Sequence, residues 1–411
     1  MTPQQLLAQP LKLANGQVLK NRIVKSAMSE QLGTTDNRPT LRLERLYGAW
    51  ADGGMGLCIT GNVMIDRRAI GEPNNVAVED QADLDALKRW AAAGTRKGTQ
   101  LWMQINHPGK QAPKGLNRET VSPSAVPFRG DMAAFFTAPR EMTGAEIEDV
   151  IARYGRTAAI ARQAGFSGVQ IHGAHGYLVN QFLSPHHNRR EDKWGGSAQN
   201  RRRFVLAVLA EVRKQVGADF PIGIKLNSAD FQRGGFTEEE SLATIQALVT
   251  AGIDLVEISG GTYETPAMTG VMKETTRQRE AYFLEFADKV RAAVKVPLMV
   301  TGGFRTLAGM SEAVRCGAVD LVGLARPMAL EPDLPLRLLA GENPRHAVRP
   351  ITTGIKLIDR SGMMETAWYS RQLRRMGNGR SPRPRESGLG SFALALLENG
   401  WLTYKTRKLR A

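Results

Sequence analysis

Cysteine is nearly absent from this sequence. The 411 residues include only two, Cys58 and Cys316, and each lies in an apolar or helical pattern. Two thiols cannot build a disulfide framework, and they cannot supply the four ligands of an iron–sulfur cluster. We interpret both as buried small residues, which predicts a protein of a reducing compartment.

Long hydrophobic runs are absent as well. No apolar stretch approaches the ~18 residues that are needed to cross a bilayer. The first ten residues, MTPQQLLAQP, have neither the basic start nor the sustained apolar run of a secretory signal. We therefore expect a cytoplasmic protein with no membrane partner.

Acidic residues are scarce at one end of the chain. The formal net charge is +15, and residues 345–411 contain 14 Lys and Arg against 4 Asp and Glu. A basic segment can contact nucleic acid, an acidic partner or a membrane surface. We favour a solvated face around a dimer interface or a bound phosphate. This interpretation makes a nucleic acid partner unexpected and allows a homo-oligomer.

What the sequence does contain is a regular alternation of short apolar segments and helical periods. The predicted strands are 22–26, 57–60, 100–105, 168–171, 221–226, 255–259, 297–301 and 320–324. The predicted helices are 41–53, 80–94, 143–164, 200–216, 237–251, 282–294, 306–316 and 333–340. Eight strand–helix units fit an α/β fold of the TIM (β/α)8 barrel type better than an open sheet. Asn15-Gly16 predicts an N-terminal hairpin, which we expect to plug the bottom of the barrel.

The alternation stops after residue 344. We therefore divide the chain into a barrel, 1–344, and a basic C-terminal extension, 345–411, which is an arm or a possible dimer or lid element. Within the extension, 376–390 reads as an extended arm and 391–399 as a short amphipathic helix. The proline-rich loop 106–142 and the stretch 262–280 are the predicted determinants of substrate choice, because long loops in compact domains are usually binding loops or lids.

Three titratable side chains lie together at the end of the predicted strand 168–171: His172, His175 and Tyr177. The carboxyl ends of barrel strands are where active sites form. The sequence leaves three roles open for the two histidines: metal ligands, structural residues, or donors to a substrate oxygen. No carboxylate nearby in the sequence completes a metal site, so we favour donors and predict no metal. Tyr177 is then the natural proton donor, with an interface aromatic as the alternative.

The last two predicted strands run into a candidate phosphate site. Thr301-Gly302-Gly303 follows one strand, and Ala325-Arg326 follows the next. Small residues let backbone N–H groups approach a phosphate, and an arginine adds a bidentate partner. Two such turns on consecutive strands indicate a phosphate-bearing cofactor or substrate, with tight turns alone as the alternative.

Polar side chains interrupt other apolar strands. Ser26 and Ser29 follow the first strand, and Gln104 lies inside the third. A buried glutamine needs a partner that both donates and accepts hydrogen bonds, as the pyrimidine edge of a flavin does. Lys225 lies in the apolar segment Ile-Gly-Ile-Lys-Leu, and burial of its ammonium group costs free energy unless the charge is paired. Its partner is either the negative edge of a reduced flavin or a carboxylate inside the barrel.

Motifs along the chain resemble those of a known family. They are Leu19-Lys-Asn-Arg-Ile-Val, Gln104 with His107-Pro-Gly-Lys, Ser122-Pro-Ser-Ala-Val-Pro, His172-Gly-Ala-His-Gly-Tyr-Leu, Phe182-Leu-Ser-Pro, the polar run 188–204, Thr301-Gly-Gly and Gly323-x-x-Arg. Together they resemble the old yellow enzymes, which are FMN-dependent ene-reductases and NADH:flavin oxidoreductases. The resemblance extends from about residue 4 to about residue 344.

This resemblance implies FMN at the carboxyl mouth of a TIM barrel, with NADH or NADPH as the electron donor. It implies that the ring contacts are Ser26, Ala27, Ser29 and Gln104, with Lys225 at the N1/O2 edge. It implies that the phosphate ligands are Gly302, Gly303, Ala325 and Arg326. His172 and His175 then bind the carbonyl or nitro oxygen of a small enone-type substrate, and Tyr177 protonates its α carbon.

Three residues depart from the family pattern. Ala27 stands where proline is usual, Ser29 where threonine or cysteine is common, and Lys225 where arginine is usual. Lys225 keeps the charge but loses the bidentate fork. The expected activity is reduction of activated C=C bonds by ping-pong hydride transfer. The alternatives are a flavin-dependent dehydrogenase or demethylase, a non-redox barrel lyase or isomerase, and a binding role for the basic extension.

Overall fold

Eight parallel strands close into a barrel in the computed structural model, which describes residues 1–130, 132–262, 264, 283–343, 348–349, 351–354 and 363–410. Along the chain the elements are α1 (Pro3–Leu7), β1 (Leu11–Lys12), β2 (Val18–Leu19), β3 (Ile23–Lys25), α2 (Leu41–Asp52), β4 (Leu57–Ile59), β5 (Val63–Met64), β6 (Val76–Ala77), α3 (Leu84–Gly94), β7 (Gln100–Asn106), β8 (Val121–Ser122), α4 (Met132–Phe135), β9 (Arg140–Glu141), α5 (Gly144–Gln163), β10 (Gly168–Gly173), α6 (Leu178–Leu183), α7 (Ala198–Val216), β11 (Ile222–Asn227), α8 (Glu238–Thr250), β12 (Leu255–Ser259), α9 (Leu284–Ala293), β13 (Leu298–Thr301), α10 (Leu307–Arg315), β14 (Leu321–Leu324), α11 (Leu334–Leu339), α12 (Met363–Gly377) and α13 (Gly388–Arg410).

The barrel strands are β3, β4, β7, β10, β11, β12, β13 and β14, each hydrogen-bonded to the next, and β14 pairs back with β3. The predicted TIM barrel is therefore confirmed. Each strand is buried on both faces, which explains why it reads as an almost continuous apolar run. The register places Lys225 opposite both His172 and Glu257, and Gln104 opposite Gln170.

The N-terminal hairpin seals one end of the barrel, as the Asn15-Gly16 turn predicts. Strands β1 and β2 pair antiparallel, and Leu13 and Leu19 join a buried cluster with Trp102. The Trp102 indole donates a hydrogen bond to Gln17 at 3.0 Å. The opposite, carboxyl end of the barrel strands is not covered by this hairpin.

The extension contains more helix than the sequence indicated. Helix α12 was not predicted. It packs on α2 and buries Trp368 completely. Helix α13 is longer than the predicted 391–399 segment, and it is not amphipathic, because Leu397 and Trp401 are exposed.

The expectation that both thiols are buried is confirmed for one of them. Cys58 is buried as expected, but the same expectation for Cys316 is wrong, because this residue follows the last turn of α10 and is exposed. Of the stretch 262–280, all but Thr262 and Glu264 lies outside the described residues, as does the predicted boundary at 344 and 345. Within the part of the chain that is described, no helix is long and apolar enough to cross a membrane.

Candidate active site

The end of β10 brings His172, His175 and Tyr177 together. The His172 ring centroid lies 5.2 Å from that of His175 and 4.7 Å from that of Tyr177. His175 adopts a left-handed backbone conformation with φ of 62°, and its N–H donates to the Asn227 side chain at 3.1 Å. This bond from β11 holds a sharp turn, so both imidazoles face the same edge of the barrel mouth.

Both imidazoles are neutral at pH 7. Burial lowers the pKa of His172 well below its ordinary value, and the neighbouring His175 and Lys225 lower it further. Burial, together with Lys225, lowers the pKa of His175 to about 3. His172 Nδ1 accepts the N–H of Ala174 at 3.3 Å, so its single proton is on Nε2. His172 is therefore a neutral hydrogen-bond donor, while His175 Nε2 lies 2.7 Å from the Ser259 hydroxyl.

Tyr177 caps α6 and is 5% exposed. The Asn62 amide lies 3.4 Å from its phenol oxygen and accepts a hydrogen bond from Asn106 at 3.3 Å. A hydrogen bond donated to the phenol oxygen stabilises the negative charge that develops when the phenol gives up its proton. Sequence reasoning missed both asparagines, although Asn106 ends the same strand that carries Gln104.

A continuous chain of polar side chains crosses the barrel interior below this turn. Gln104 donates to Gln170 at 2.7 Å, and Gln170 donates to Glu257 at 2.7 Å. Lys225 Nζ lies 3.0 Å from the carboxylate of the fully buried Glu257. Of the two partners foreseen for Lys225, the structure therefore contains the carboxylate. Gln170 and Glu257 were missed, although each interrupts an apolar strand in the same way as Gln104 and Lys225.

The chain of polar groups continues to the end of β3. Thr301 donates to Glu257 at 2.6 Å, and its hydroxyl lies 2.6 Å from that of Ser26. Ala27 follows, half-buried against the apolar cluster that includes Val24 and Met299 of the barrel strands. The structure places the Ser29 hydroxyl as a donor to the carboxylate of Glu72, whose pKa is raised by burial.

The predicted phosphate ligands lie on adjacent strand ends. Gly302 and Gly303 have φ of 117° and 87°, a conformation that L side chains rarely adopt. Ala325 precedes a short 3-10 helix that begins at Arg326, and β13 and β14 are paired neighbours. The structure thus brings all four residues to one side of the mouth. Arg326 Nη1 also donates to Glu365 of α12 at 2.9 Å.

A second cluster of ionisable groups lies beyond α6. His186, His187 and Glu264 place potential ligand atoms within 4.8 Å of one another. Lys110 Nζ lies 3.5 Å from the same Glu264 carboxylate and 4.2 Å from the centre of the Phe128 ring. The carboxylate therefore already has a cationic partner.

The side chains at the mouth suit a flavin nucleotide. The buried amides of Gln104 and Gln170 both donate and accept, as the pyrimidine edge requires. The positive-φ pair Gly302-Gly303 leaves the backbone open to close approach by a phosphate. Nearby on α12, the Tyr369 hydroxyl is buried and has no hydrogen-bond partner within the described part of the chain.

Comparisons with known proteins agree with this geometry. The sequence model of the family described as "NADH:flavin oxidoreductase / NADH oxidase" matches residues 6–344. The chain is 36% identical over 389 residues to an NADH-dependent flavin oxidoreductase of Hypocrea jecorina, covering 89% of this chain and 94% of the relative. It is 30% identical to an NADPH dehydrogenase of Geobacillus sp. (strain WCH70), covering 78% of this chain and 90% of that relative.

Two solved structures have a similar fold. A 2-naphthoyl-CoA reductase complex superposes with a TM-score of 0.78 at 27% identity, covering 90% of this chain and 58% of that one. The chain thus spans little more than half the length of that reductase. Morphinone reductase in complex with tetrahydroNAD superposes with a TM-score of 0.69 at 25% identity, covering 82% and 90%.

Proposed function

Because the chain belongs to the NADH:flavin oxidoreductase / NADH oxidase family, we propose that it reduces the activated C=C bond of α,β-unsaturated carbonyl or nitro compounds. The protein is an oxidoreductase, with FMN as its cofactor and NADH or NADPH as its electron donor. The observation that carries the finer proposal is the cluster of a neutral donor histidine, a second neutral histidine and a tyrosine at the end of β10.

The residues that hold FMN in this proposal come from the strand ends described above. Ser26, Ala27, Ser29 and Gln104 contact the ring, and Lys225 lies at its N1/O2 edge. The phosphate ligands are Gly302, Gly303, Ala325 and Arg326. Support comes from the fact that both groups occupy the carboxyl end of the barrel, where cofactors and substrates bind in this fold.

The chemistry supplied by bound FMN is hydride transfer between the nicotinamide donor and the alkene. The chain's own residues act on the substrate. His172 Nε2–H donates to the carbonyl or nitro oxygen, and His175 orients the same oxygen. These neutral donors stabilise the enolate or nitronate charge as the β carbon receives a hydride. Tyr177 then gives its proton to the α carbon and regains one from water.

The neutrality of His172 favours a donor role over general acid catalysis. An imidazole whose pKa lies well below 6.5 is not protonated near pH 7, so it cannot deliver a second proton. Its Nε2–H still donates a hydrogen bond in a buried site, where such a bond is stronger than in water. The proton that completes the reduction is therefore assigned to the tyrosine.

The test is the visible absorption spectrum, recorded anaerobically. Addition of NADPH is expected to bleach the flavin band, and 2-cyclohexenone is then expected to restore it. A band that bleaches but is not restored by any enone or nitroalkene would refute alkene reduction and leave the flavin oxidoreductase. Reduction of the flavin by substrate without NADPH would favour a dehydrogenase instead.

A further inference from the structure

Helix α12 reaches the phosphate side of the site. Its Glu365 accepts a hydrogen bond from Arg326 Nη1 at 2.9 Å. One turn further on, the Ser370 hydroxyl donates to the backbone carbonyl of Ser29 at 3.2 Å, in the loop after β3. These contacts attach α12 to two loops assigned to the cofactor. The helix lies beyond residue 344, where the match to the family model ends.

Between these two contacts lies Tyr369. Its side chain is 6% exposed, and its hydroxyl has no hydrogen-bond partner among the residues that the structure describes. The ring of the buried Trp368 packs edge-on against the Tyr369 ring, with the two ring centroids 5.0 Å apart. A buried hydroxyl without a partner is unfavourable, because it has lost its bonds to water and gained none. The position therefore points to a ligand that supplies an acceptor.

The two arginines that act on Tyr369 favour a negatively charged acceptor for its hydroxyl. Burial raises the pKa of Tyr369 to about 12, while Arg326 and Arg349 act in the opposite direction. The hydroxyl is thus a neutral donor that shares its surroundings with the arginine assigned to the phosphate. Glu365 also acts on Tyr369, and it accepts a hydrogen bond from Arg326 Nη1.

We propose that the Tyr369 hydroxyl binds the phosphate monoester of the flavin nucleotide, beside Arg326. This inference rests on the proposed placement of the FMN phosphate at Gly302, Gly303, Ala325 and Arg326. It makes the basic extension part of the cofactor site, and it assigns its first described helix a binding role. A neutral hydroxyl adds a hydrogen bond to the phosphate without bringing a further charge into a buried site.

Truncation cannot test this proposal, because Trp368 belongs to the main hydrophobic core. The test is Tyr369→Phe, which removes one oxygen atom and keeps the ring. Removal of a hydroxyl that has no protein partner is expected to leave the apoprotein folded. A matched control is Tyr154→Phe, because the Tyr154 side chain is also fully buried but lies on α5.

The measurement compares FMN with riboflavin, which lacks the phosphate. Each flavin is titrated with apoprotein while its fluorescence is followed. Tyr369→Phe is expected to weaken FMN binding about 10-fold, as the loss of one hydrogen bond to a charged group predicts. Riboflavin binding, which also shows that the variant is folded, should not change. Tyr154→Phe should bind both flavins like the unmodified protein.

The outcomes separate this proposal from the one on which it rests. Unchanged FMN affinity, or an equal loss for both flavins, would overturn the role of Tyr369 while leaving alkene reduction intact. An unmodified protein that binds FMN no more tightly than riboflavin would overturn the phosphate site itself. Recovery of the flavin band with an enone is measured separately and does not depend on Tyr369.

Discussion

The buried pair of Lys225 and Glu257 offers a quantitative test of the barrel interior. The ammonium and carboxylate are 3.0 Å apart and are 4% and 0% exposed. At that distance their attraction is about 5.5 kcal/mol for an effective dielectric constant of about 20. Most of this attraction offsets the loss of hydration, so the intact pair contributes little net stability.

Removing only one charge has a larger effect. Glu257→Gln leaves the Lys225 ammonium buried without a counter-charge, and it replaces an acceptor of bonds from Gln170 and Thr301 with an amide. We expect the free energy of unfolding of the apoprotein to fall by about 3–5 kcal/mol. The double variant, Lys225→Met with Glu257→Gln, should lose less than either of its two single variants, Lys225→Met and Glu257→Gln, because no uncompensated charge remains.

The assay is urea unfolding of the flavin-free protein, followed by far-ultraviolet circular dichroism for the two single variants and the double variant. Use of the apoprotein keeps any contribution of Lys225 to flavin binding out of the comparison. If the loss in the double variant equals the sum of the losses in the two single variants, the two charges are not coupled. That result would refute the pairing on which the polar chain depends.

Three further outcomes are expected. Tyr177→Phe should slow reoxidation of the reduced enzyme by enones about 10²- to 10⁴-fold, as the loss of a general acid predicts. Bleaching by NADPH, measured by stopped-flow absorbance, should be unchanged. An equal slowing of both half-reactions would contradict the role of Tyr177 as proton donor. The pKa of His175 is lowered to about 3 in the folded protein, so on acidification the unfolded chain protonates this imidazole at a higher pH than the folded chain does. Thermal stability should therefore decrease as pH falls below about 6.5. Melting temperatures measured across this pH range should decrease less steeply for His175→Asn. Gly323→Ala should destabilise the protein, because the new Cβ would overlap the Thr301 hydroxyl, whereas Gly144→Ala, with nothing within 4 Å of the new Cβ, should not. Equal melting temperatures for the two variants would contradict the close packing at Gly323.

The barrel was predictable because its signal is repeated eight times. Each strand is a short apolar run followed by a segment of helical periodicity. An error in the predicted start of one helix, as for α3, leaves the number of strand–helix units unchanged. The clustering of His172, His175 and Tyr177 was predictable for a local reason, since they lie within six residues. The strand-end rule also indicated the common side of Gly302, Gly303 and Arg326.

Partners across the barrel could not be predicted in the same way. A polar residue in an apolar strand, such as Lys225, indicates that a partner exists. The identity of that partner depends on the register between neighbouring strands. Glu257 becomes its neighbour only when β11 and β12 are aligned. Helix α12 was missed for a different reason. Its sequence mixes basic, aromatic and small residues, and it is held by contacts with α2 and the strand-end loops rather than by a strong pattern of its own.

The sealed floor of the barrel has a kinetic consequence. Leu13, Leu19 and Trp102 close one end, so a molecule reaches the strand ends through the opposite mouth. In the proposed cycle, the nicotinamide donor and the alkene must then use one entrance in turn, and each waits for the departure of the other. An excess of either substrate should thus slow turnover by occupying the shared passage.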